Sequence, residues 1–329
     1  MKINVLCKPI TIFLIVIVFI SCVKNSSTAP PVKNPTVAQL IKTATNLTIL
    51  NAALVRSGLD TVLNNPDSMV TMFVCTDQIM NQYGLNISVI DTMNVDVLKK
   101  LLEYSILLGE ARLSSALING TGQNVKIDSL ASGDSIFVTY TGTNLYINGI
   151  SVPTTDVSAS NGYLDVMAQP LFPPAGTILQ ITQADTTLSY FDTAVARTSS
   201  STLFNIQSLL TGGGIYTVLV PNNNAFRNAG FLNVDTFKTL PADTVAKLLA
   251  YHIINNRYFT SDMGIAIGNV GSSDTATQVT LSTNTIKVIF GAAYYQAEGN
   301  SDSVSANIYA PNIMARNGVV HKIDRVLRQ

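Results

Sequence analysis

The chain has 329 residues, more than a single hydrophobic core usually serves, so its length alone implies two domains. Hydrophobic residues make up 47% and charged residues 12%, with 20 basic against 20 acidic side chains and no Trp. That composition excludes general disorder, and the absence of net positive charge argues against nucleic acid as a partner.

At the N-terminus, Lys2 and Lys8 precede an apolar run over 10–20 that is broken only by Thr11. This is the charged start and short apolar middle of an export signal, too short to span a membrane comfortably. The run ends in Phe19, Ile20, Ser21 and Cys22, which resembles a bacterial lipobox. Residues 1–21 are then a lipoprotein signal peptide, and Cys22 is the lipidation site, an acylated N-terminus carrying palmitate-like chains. An uncleaved anchor helix is the alternative. Either way the membrane is a partner, and multiple acyl chains at ~0.8 kcal/mol per buried methylene hold the protein there stably. Residues 22–35, rich in Lys, Asn, Ser, Thr and Pro, read as a flexible tether. The expected location is the bacterial outer membrane, lipid-anchored, on the periplasmic or the cell-surface face. Of three cysteines, Cys7 leaves with the signal and Cys22 is lipidated. Cys75 then has no disulfide partner and reads as a small buried hydrophobe.

Three segments beyond the tether recur in the same order. TMFVCTDQIM (71–80) matches TVLVPNNNAF (217–226), LLEYSILL (101–108) matches LLAYHIIN (248–255), and NGYLDVMAQPL (161–171) matches NGVVHKIDRVL (317–327). The offset is close to 150 residues, which indicates duplicated domains rather than a solenoid of short repeats. The prolines and glycine of 170–176 mark the junction, giving domains over 36–172 and 177–329.

Within copy two, residues 217–220 are β-formers, Pro221 ends the run, and Asn222, Asn223 and Asn224 offer helix caps before Phe226: a strand passing into a helix. Gly212, Gly213 and Gly214 read as a turn before that strand. Pro241 suits a first helical turn, and Val245, Leu248, Leu249 and His252 follow the spacing of a buried helical stripe. Leu98, Leu101, Leu102 and Ser105 form the same stripe in copy one. Alternating stretches at 135–150, with Asn148 and Gly149 as a turn, and at 278–289 read as antiparallel strands. The fold class is therefore α+β, with helices grouped early in each copy and strands later.

The three boxes of copy two, YTVLVPNNNAF (216–226), LLAYHII (248–254) and NGVVHKIDRVL (317–327), together resemble the fasciclin domain. Copy one is a divergent member, with Cys75 for the proline, Ser105 for the histidine after the tyrosine, and Asp165 and Ala168 for the histidine and aspartate of the closing box. The resemblance implies two tandem domains, each a β-wedge or sandwich core flanked by helices. It also implies non-catalytic attachment to an extracytoplasmic protein or glycan, and it points to Tyr251 and His252 as an adhesion motif.

Against that, the helical spacing turns His252 inward as a hydrogen-bonded core residue and leaves Tyr251 as the surface candidate. Candidate binding residues are Tyr251, Asn223, Asn224 and Phe226 with the loop after it. His252, Asn317, Gly318, His321 and Asp324 are expected to be structural. On the closing strand His321 shares a face with Val319 and Ile323, while Lys322 and Asp324 face the other way, so these residues do not converge as a triad. No nucleophile elbow is present, and two distant histidines without paired cysteines make a poor zinc site, so neither an enzyme nor a cofactor or metal is expected. The alternative function is an accessory glycan-binding lipoprotein of an outer-membrane uptake system, with Tyr294 and Tyr295 as its aromatic pair.

Overall fold

The computed structural model describes residues 34–118, 122–128, 130–141, 143–265, 274–290 and 295–329. The export signal, Cys22, most of the tether and Tyr294 lie outside the described residues. Residues 34–329 form one compact unit.

Both copies begin with the same local device. Thr36 and Thr177 cap the helices Val37–Thr43 and Ile178–Gln183; each threonine hydroxyl accepts from the backbone N–H of a glutamine three residues on. The Gln39 and Gln180 side chains in turn accept from the cap's own N–H, at 3.1 and 2.9 Å. These reciprocal bonds satisfy donors that a helix start would otherwise leave unpaired.

Copy one continues through helices Thr48–Ser57 and Leu59–Asn64 to strand β1 (Val70–Val74). Three more helices, ending with Val95–Glu103, lead to β2 (Ile106–Leu108). Then come β3 (Gly122–Ile127), β4 (Ile136–Tyr140), β5 (Leu145–Ile147), β6 (Ile150–Ser151), β7 (Thr154–Ala159) and β8 (Gly162–Val166). Copy two repeats the plan: helices Ser189–Arg197 and Ile206–Thr211, β9 (Tyr216–Pro221), helices Asn223–Asn228, Thr236–Thr239 and Ala242–Ala250, and β10 (Ile253–Asn255). Helix Thr260–Ile265, β11 (Asp274–Val279), β12 (Thr285–Phe290), β13 (Tyr295–Gly299), β14 (Ala306–Ala315) and β15 (Gly318–Ile323) complete it.

The strand of the opening box lies parallel to the strand of the closing box in both copies, β1 with β8 and β9 with β15. A strand so placed is covered on both faces, which explains its unbroken apolar run. Val218 and Val220 join the cluster under the helices, while Leu219 faces a second cluster with Ile286, Val288 and Ile323. The invariant geometry of the closing box is steric as well. A Cβ on Gly162 would lie 1.7 Å from the Val70 carbonyl oxygen, and one on Gly318 would lie 1.8 Å from that of Tyr216, at φ of +155° and +151°.

The copies differ in how their sheets continue. β14 pairs with both β15 and β13, giving one seven-stranded sheet in the order β10-β9-β15-β14-β13-β12-β11. Pro311 sits where the β14 register shifts between Ala310 and Ile313, so its missing N–H costs no ladder bond. In copy one the corresponding path is interrupted at Val152 and Pro153, and two four-stranded sheets result, β2-β1-β8-β7 and β3-β4-β5-β6. An isolated bridge, Leu107 to Leu130 in copy one and Ile254 to Thr280 in copy two, brings the far margin of the strands back to the near one.

The apolar core of copy one draws on residues from Val37 to Leu171, and the two clusters of copy two on residues from Ile178 to Leu327. A small separate cluster, Phe137, Phe259 and Val319 with Met314 against it, joins the copies. Beside it the Arg257 guanidinium lies 4.1 Å from the centre of the Phe137 ring and donates to the carbonyl of Arg316 at 3.2 Å. The Asn124 amide donates to the Arg257 carbonyl. Thr139 donates to the buried Asp262 carboxylate at 2.5 Å, and Asn312 donates to the Gly149 carbonyl at 3.3 Å. Asn148 and Gly149 form a two-residue turn at φ of 50° and 77°, and the glycine packs so tightly that a Cβ would meet that of Phe259 at 2.6 Å.

Candidate functional site

The structure corrects two of the sequence-derived binding residues. Tyr251 is buried, at 1% exposure, not at the surface. It caps helix Ala242–Ala250 with helical backbone angles, so its direction beside the stripe is the expected one, but that side of the helix end is covered by the long sheet. Its hydroxyl donates to the Thr285 carbonyl at 2.8 Å and accepts from the Asn300 N–H at 2.9 Å, tying the helix end to the long sheet. Phe226 is fully buried as well, packed edge-on against Phe231 and Phe237 and stacked on Tyr190. It lies inside helix Asn223–Asn228, on the face turned to the core.

Asn222 caps that helix by accepting from the Ala225 N–H at 2.8 Å. Asn223 is half-buried and holds neighbouring backbone: it accepts from the Tyr190 N–H and donates to the Thr186 carbonyl, both at 3.0 Å. Asn224 is exposed and accepts from Arg227 at 2.7 Å. Of the four binding candidates, Asn224 alone is freely accessible.

The residues assigned to structure form a connected frame. Asn317 accepts from the Ile178 N–H at 2.8 Å and donates to the Leu210 carbonyl at 2.8 Å; Asn161 does the same in copy one with Val37 and Leu63, at 2.9 and 3.0 Å. Asp324 takes the Asn307 backbone N–H on one oxygen and its side-chain amide on the other, both at 2.7 Å, pinning β14 to the end of β15. Ala168, its counterpart in copy one, cannot do so.

Both histidines are buried, and in each both ring nitrogens face backbone groups. His252 Nδ1 donates to the Leu248 carbonyl and Nε2 accepts from the Leu327 N–H, each at 2.9 Å. His321 Nδ1 accepts from the Asn312 N–H at 3.1 Å, and Nε2 donates to the Tyr258 carbonyl at 2.9 Å. Burial pushes both down to about 4, so they are neutral at pH 7 and have no free nitrogen to act as a base. Asp165 takes the place of His321 in copy one. It accepts from the Asp156 N–H at 2.8 Å, its second oxygen has no partner, and burial pushes it up to about 6. Asp156 and Asn312, the two donors, share the same left-handed backbone at φ of 63° and 62°.

Among the described residues no group of three or more His, Cys, Asp or Glu side chains could hold a metal ion. No helix there is long and apolar enough to cross a membrane. Cys75 is buried, and desolvation pushes its thiol up to about 12. A fragment of 34–329, in which Cys75 is the only cysteine, should therefore resist iodoacetamide for hours at pH 8 and react fully once urea unfolds it; mass spectrometry reads both.

The surface feature with the shape of a binding site is a groove of about 540 Å³ where the copies meet. Tyr83 and the linker residues Pro170, Phe172 and Pro173 line one side; Ile181 of the first helix of copy two and Tyr309, Pro311 and Met314 of β14 line the other. No charged side chain lines it. Three rings stand in the open, Tyr83 at 42%, Phe172 at 45% and Tyr309 at 49% exposure, and Tyr83 and Phe172 are 6.5 Å apart between centres. Tyr309 also borders a second pocket of about 500 Å³, whose other lining residues include Asp185, Thr187, Asn222, Asn223, Asn224, Arg227 and Lys322. Lys322 is paired with Asp185, and Arg227 lies 5.1 Å over the Tyr190 ring. Only Asn223 and Asn224 of the sequence-derived candidates touch this region. The rest is assembled from segments far apart in the chain, such as Tyr83 and Tyr309, for which the linear sequence carries no signal beyond the aromatic and prolines at 170–174.

Residues 45–173 and 189–329 each match the family model of the fasciclin domain. The chain belongs to the fasciclin-domain family. It is similar to transforming growth factor-beta-induced protein ig-h3 of Sus scrofa, with 24% identity over 237 residues, 72% of this chain and 31% of that protein. The chain thus spans less than a third of that relative's length. Among solved structures it is similar to a fasciclin domain pair from the insect cell adhesion molecule fasciclin I, with 19% identity, 85% of this chain and 96% of that chain covered, and a TM-score of 0.41. Fasciclin domains are adhesion and binding modules, and the two α+β copies described above are a tandem pair of them.

Proposed function

We propose that this fasciclin pair is a lipid-anchored adhesion module of a bacterial outer membrane, which binds an extracytoplasmic protein or glycan without transforming it. The observation that carries the reading is the uncharged groove at the junction, where three half-exposed aromatic rings from both copies converge. Ligand sites favour such concave, largely apolar boundaries between domains, with a few polar groups at their rim. Both histidines are committed to backbone, which supports binding rather than catalysis. The anchor rests on Lys2, Lys8, the apolar run at 10–20 and the Ser21–Cys22 pair, and the tether at 22–35 gives the pair reach from the bilayer.

Two measurements test this. Metabolic labelling with a clickable palmitate should mark the wild type and not Cys22→Ala, which should also leave the membrane fraction. Cells displaying Tyr309→Ala together with Phe172→Ala should attach to matrix or to one another several-fold less than wild type, with the melting temperature preserved. Unchanged attachment would reject the groove as the adhesive surface.

A further inference from the structure

We propose that the junction groove and the polar pocket beside it form one cleft for a neutral polysaccharide, with apolar sugar faces on Tyr83, Phe172 and Tyr309 and sugar hydroxyls toward Asp185, Asn224 and Arg227. The inference rests on the binding role proposed above and narrows its ligand to one class.

The cleft offers both kinds of group that a sugar ring needs. A pyranose ring has a C–H face, which stacks on an aromatic ring, and a rim of hydroxyls, each able to donate and to accept. The groove supplies exposed rings that order little on binding, because tyrosine and phenylalanine have few rotatable bonds. Past Tyr309, which borders both spaces, the lining turns to mixed donors and acceptors: the Asp185 carboxylate, the Asn224 amide, the Thr187 hydroxyl and the Arg227 guanidinium. Neighbouring donors and acceptors suit vicinal hydroxyls.

Charge selects among sugars. The aromatic part carries none, and past Tyr309 Lys322 is already paired with Asp185, which leaves Arg227 as the one cation there without a carboxylate; a polysaccharide acidic at every sugar would lay most of its carboxylates against uncharged rings. A proline-rich peptide could also stack on rings. Its backbone, however, presents mainly carbonyl acceptors, whereas a sugar hydroxyl both donates and accepts and can add to the bonds that Asp185 and Asn224 already make with Lys322, Thr187 and Arg227.

The test uses the full chain in lipid nanodiscs, titrated by calorimetry with neutral hexasaccharides of β-1,4-glucose, β-1,4-xylose, β-1,4-mannose and α-1,4-glucose. Polygalacturonate and a proline-rich decapeptide are run beside them. Tyrosine emission gives a second readout, since the chain has 12 Tyr and no Trp to mask it. At least one neutral hexasaccharide should bind, and Tyr309→Ala should weaken it roughly tenfold. Tyr83→Ala, on the other copy, carries the same test if Tyr309→Ala fails to fold, while Val97→Ser on an exposed helix face of copy one should change nothing.

No neutral sugar bound by folded protein, or sugar binding indifferent to both tyrosine variants, overturns the proposal. Peptide binding that depends on Tyr309, without sugar binding, overturns the ligand class and leaves the adhesion role standing. Normal cell attachment by both variants removes that role itself.

Discussion

Acidification from pH 7 to pH 4 should destabilise copy two while it relieves copy one. In copy two, His252 and His321 have an ordinary value of 6.5 and are held at about 4 in the fold. The neutral forms are the bonded ones: a proton on His252 Nε2 would meet the Leu327 N–H, and one on His321 Nδ1 would meet the Asn312 N–H. Their contribution is fully present above pH 6.5 and is lost as pH falls from there through 4, about 3 kcal/mol for each fully buried ring. Together these approach the whole stability of an ordinary domain. Asp165 in copy one runs the other way. Its ordinary value of 3.8 is raised to about 6 by burial, so the folded state is penalised above pH 6 and relieved as pH falls through 6 toward 3.8. Asp192, raised to about 6 in copy two, and the buried Asp262, also raised by burial, offset part of the histidine loss there. Hydrogen exchange resolved by segment, at pH 7 and pH 4.5, should show protection falling in β9 and β15 and holding in β1 and β8. Equal loss in both copies would refute the assignment. His321→Asp, which installs the residue of copy one, should flatten the acid response of copy two.

Phe226→Ala is expected to cost about 3–5 kcal/mol, the range for emptying a fully buried aromatic site. The cavity would open among Tyr190, Phe231 and Phe237, whose rings lean on it within 6.2 Å between centres. Asn224→Ala, two residues earlier but solvent-facing, should stay within about 0.5 kcal/mol of wild type. Urea unfolding of both proteins measures the difference. Any adhesion lost by the phenylalanine variant is then a loss of fold, whereas loss by the asparagine variant is a loss of surface. A cost below about 1 kcal/mol for Phe226→Ala would contradict the packing described.

The contrast between those two neighbours shows where the sequence is legible. The three paired boxes place β1 with β8 and β9 with β15 because the same strands must be buried on both faces, and such runs are conspicuous in a linear text. The threonine and glutamine spaced three apart at Thr36 and Gln39, and again at Thr177 and Gln180, were equally open to reading as helix starts. Tyr251 was not, because helical spacing gives a direction around the helix and says nothing of what stands there. Nor could helical spacing show that the opposite side of that helix end is roofed by the strands carrying Thr285 and Asn300. The groove was least legible of all: Tyr83, Phe172 and Tyr309 are unremarkable singly, and only the docking of the copies through Arg257, Phe137 and Gly149 sets them side by side.

Two similar sheets on one polypeptide invite a characteristic error in which a strand of one repeat, or of a neighbouring molecule, completes the other. The Ile254–Thr280 bridge brings the two margins of the seven-stranded sheet together, and Leu107–Leu130 ties β2 to the end of β3, so these margins offer an incoming strand fewer free backbone groups. Two such molecules pressed together at these margins would then meet through the side chains they present rather than through backbone left uncovered.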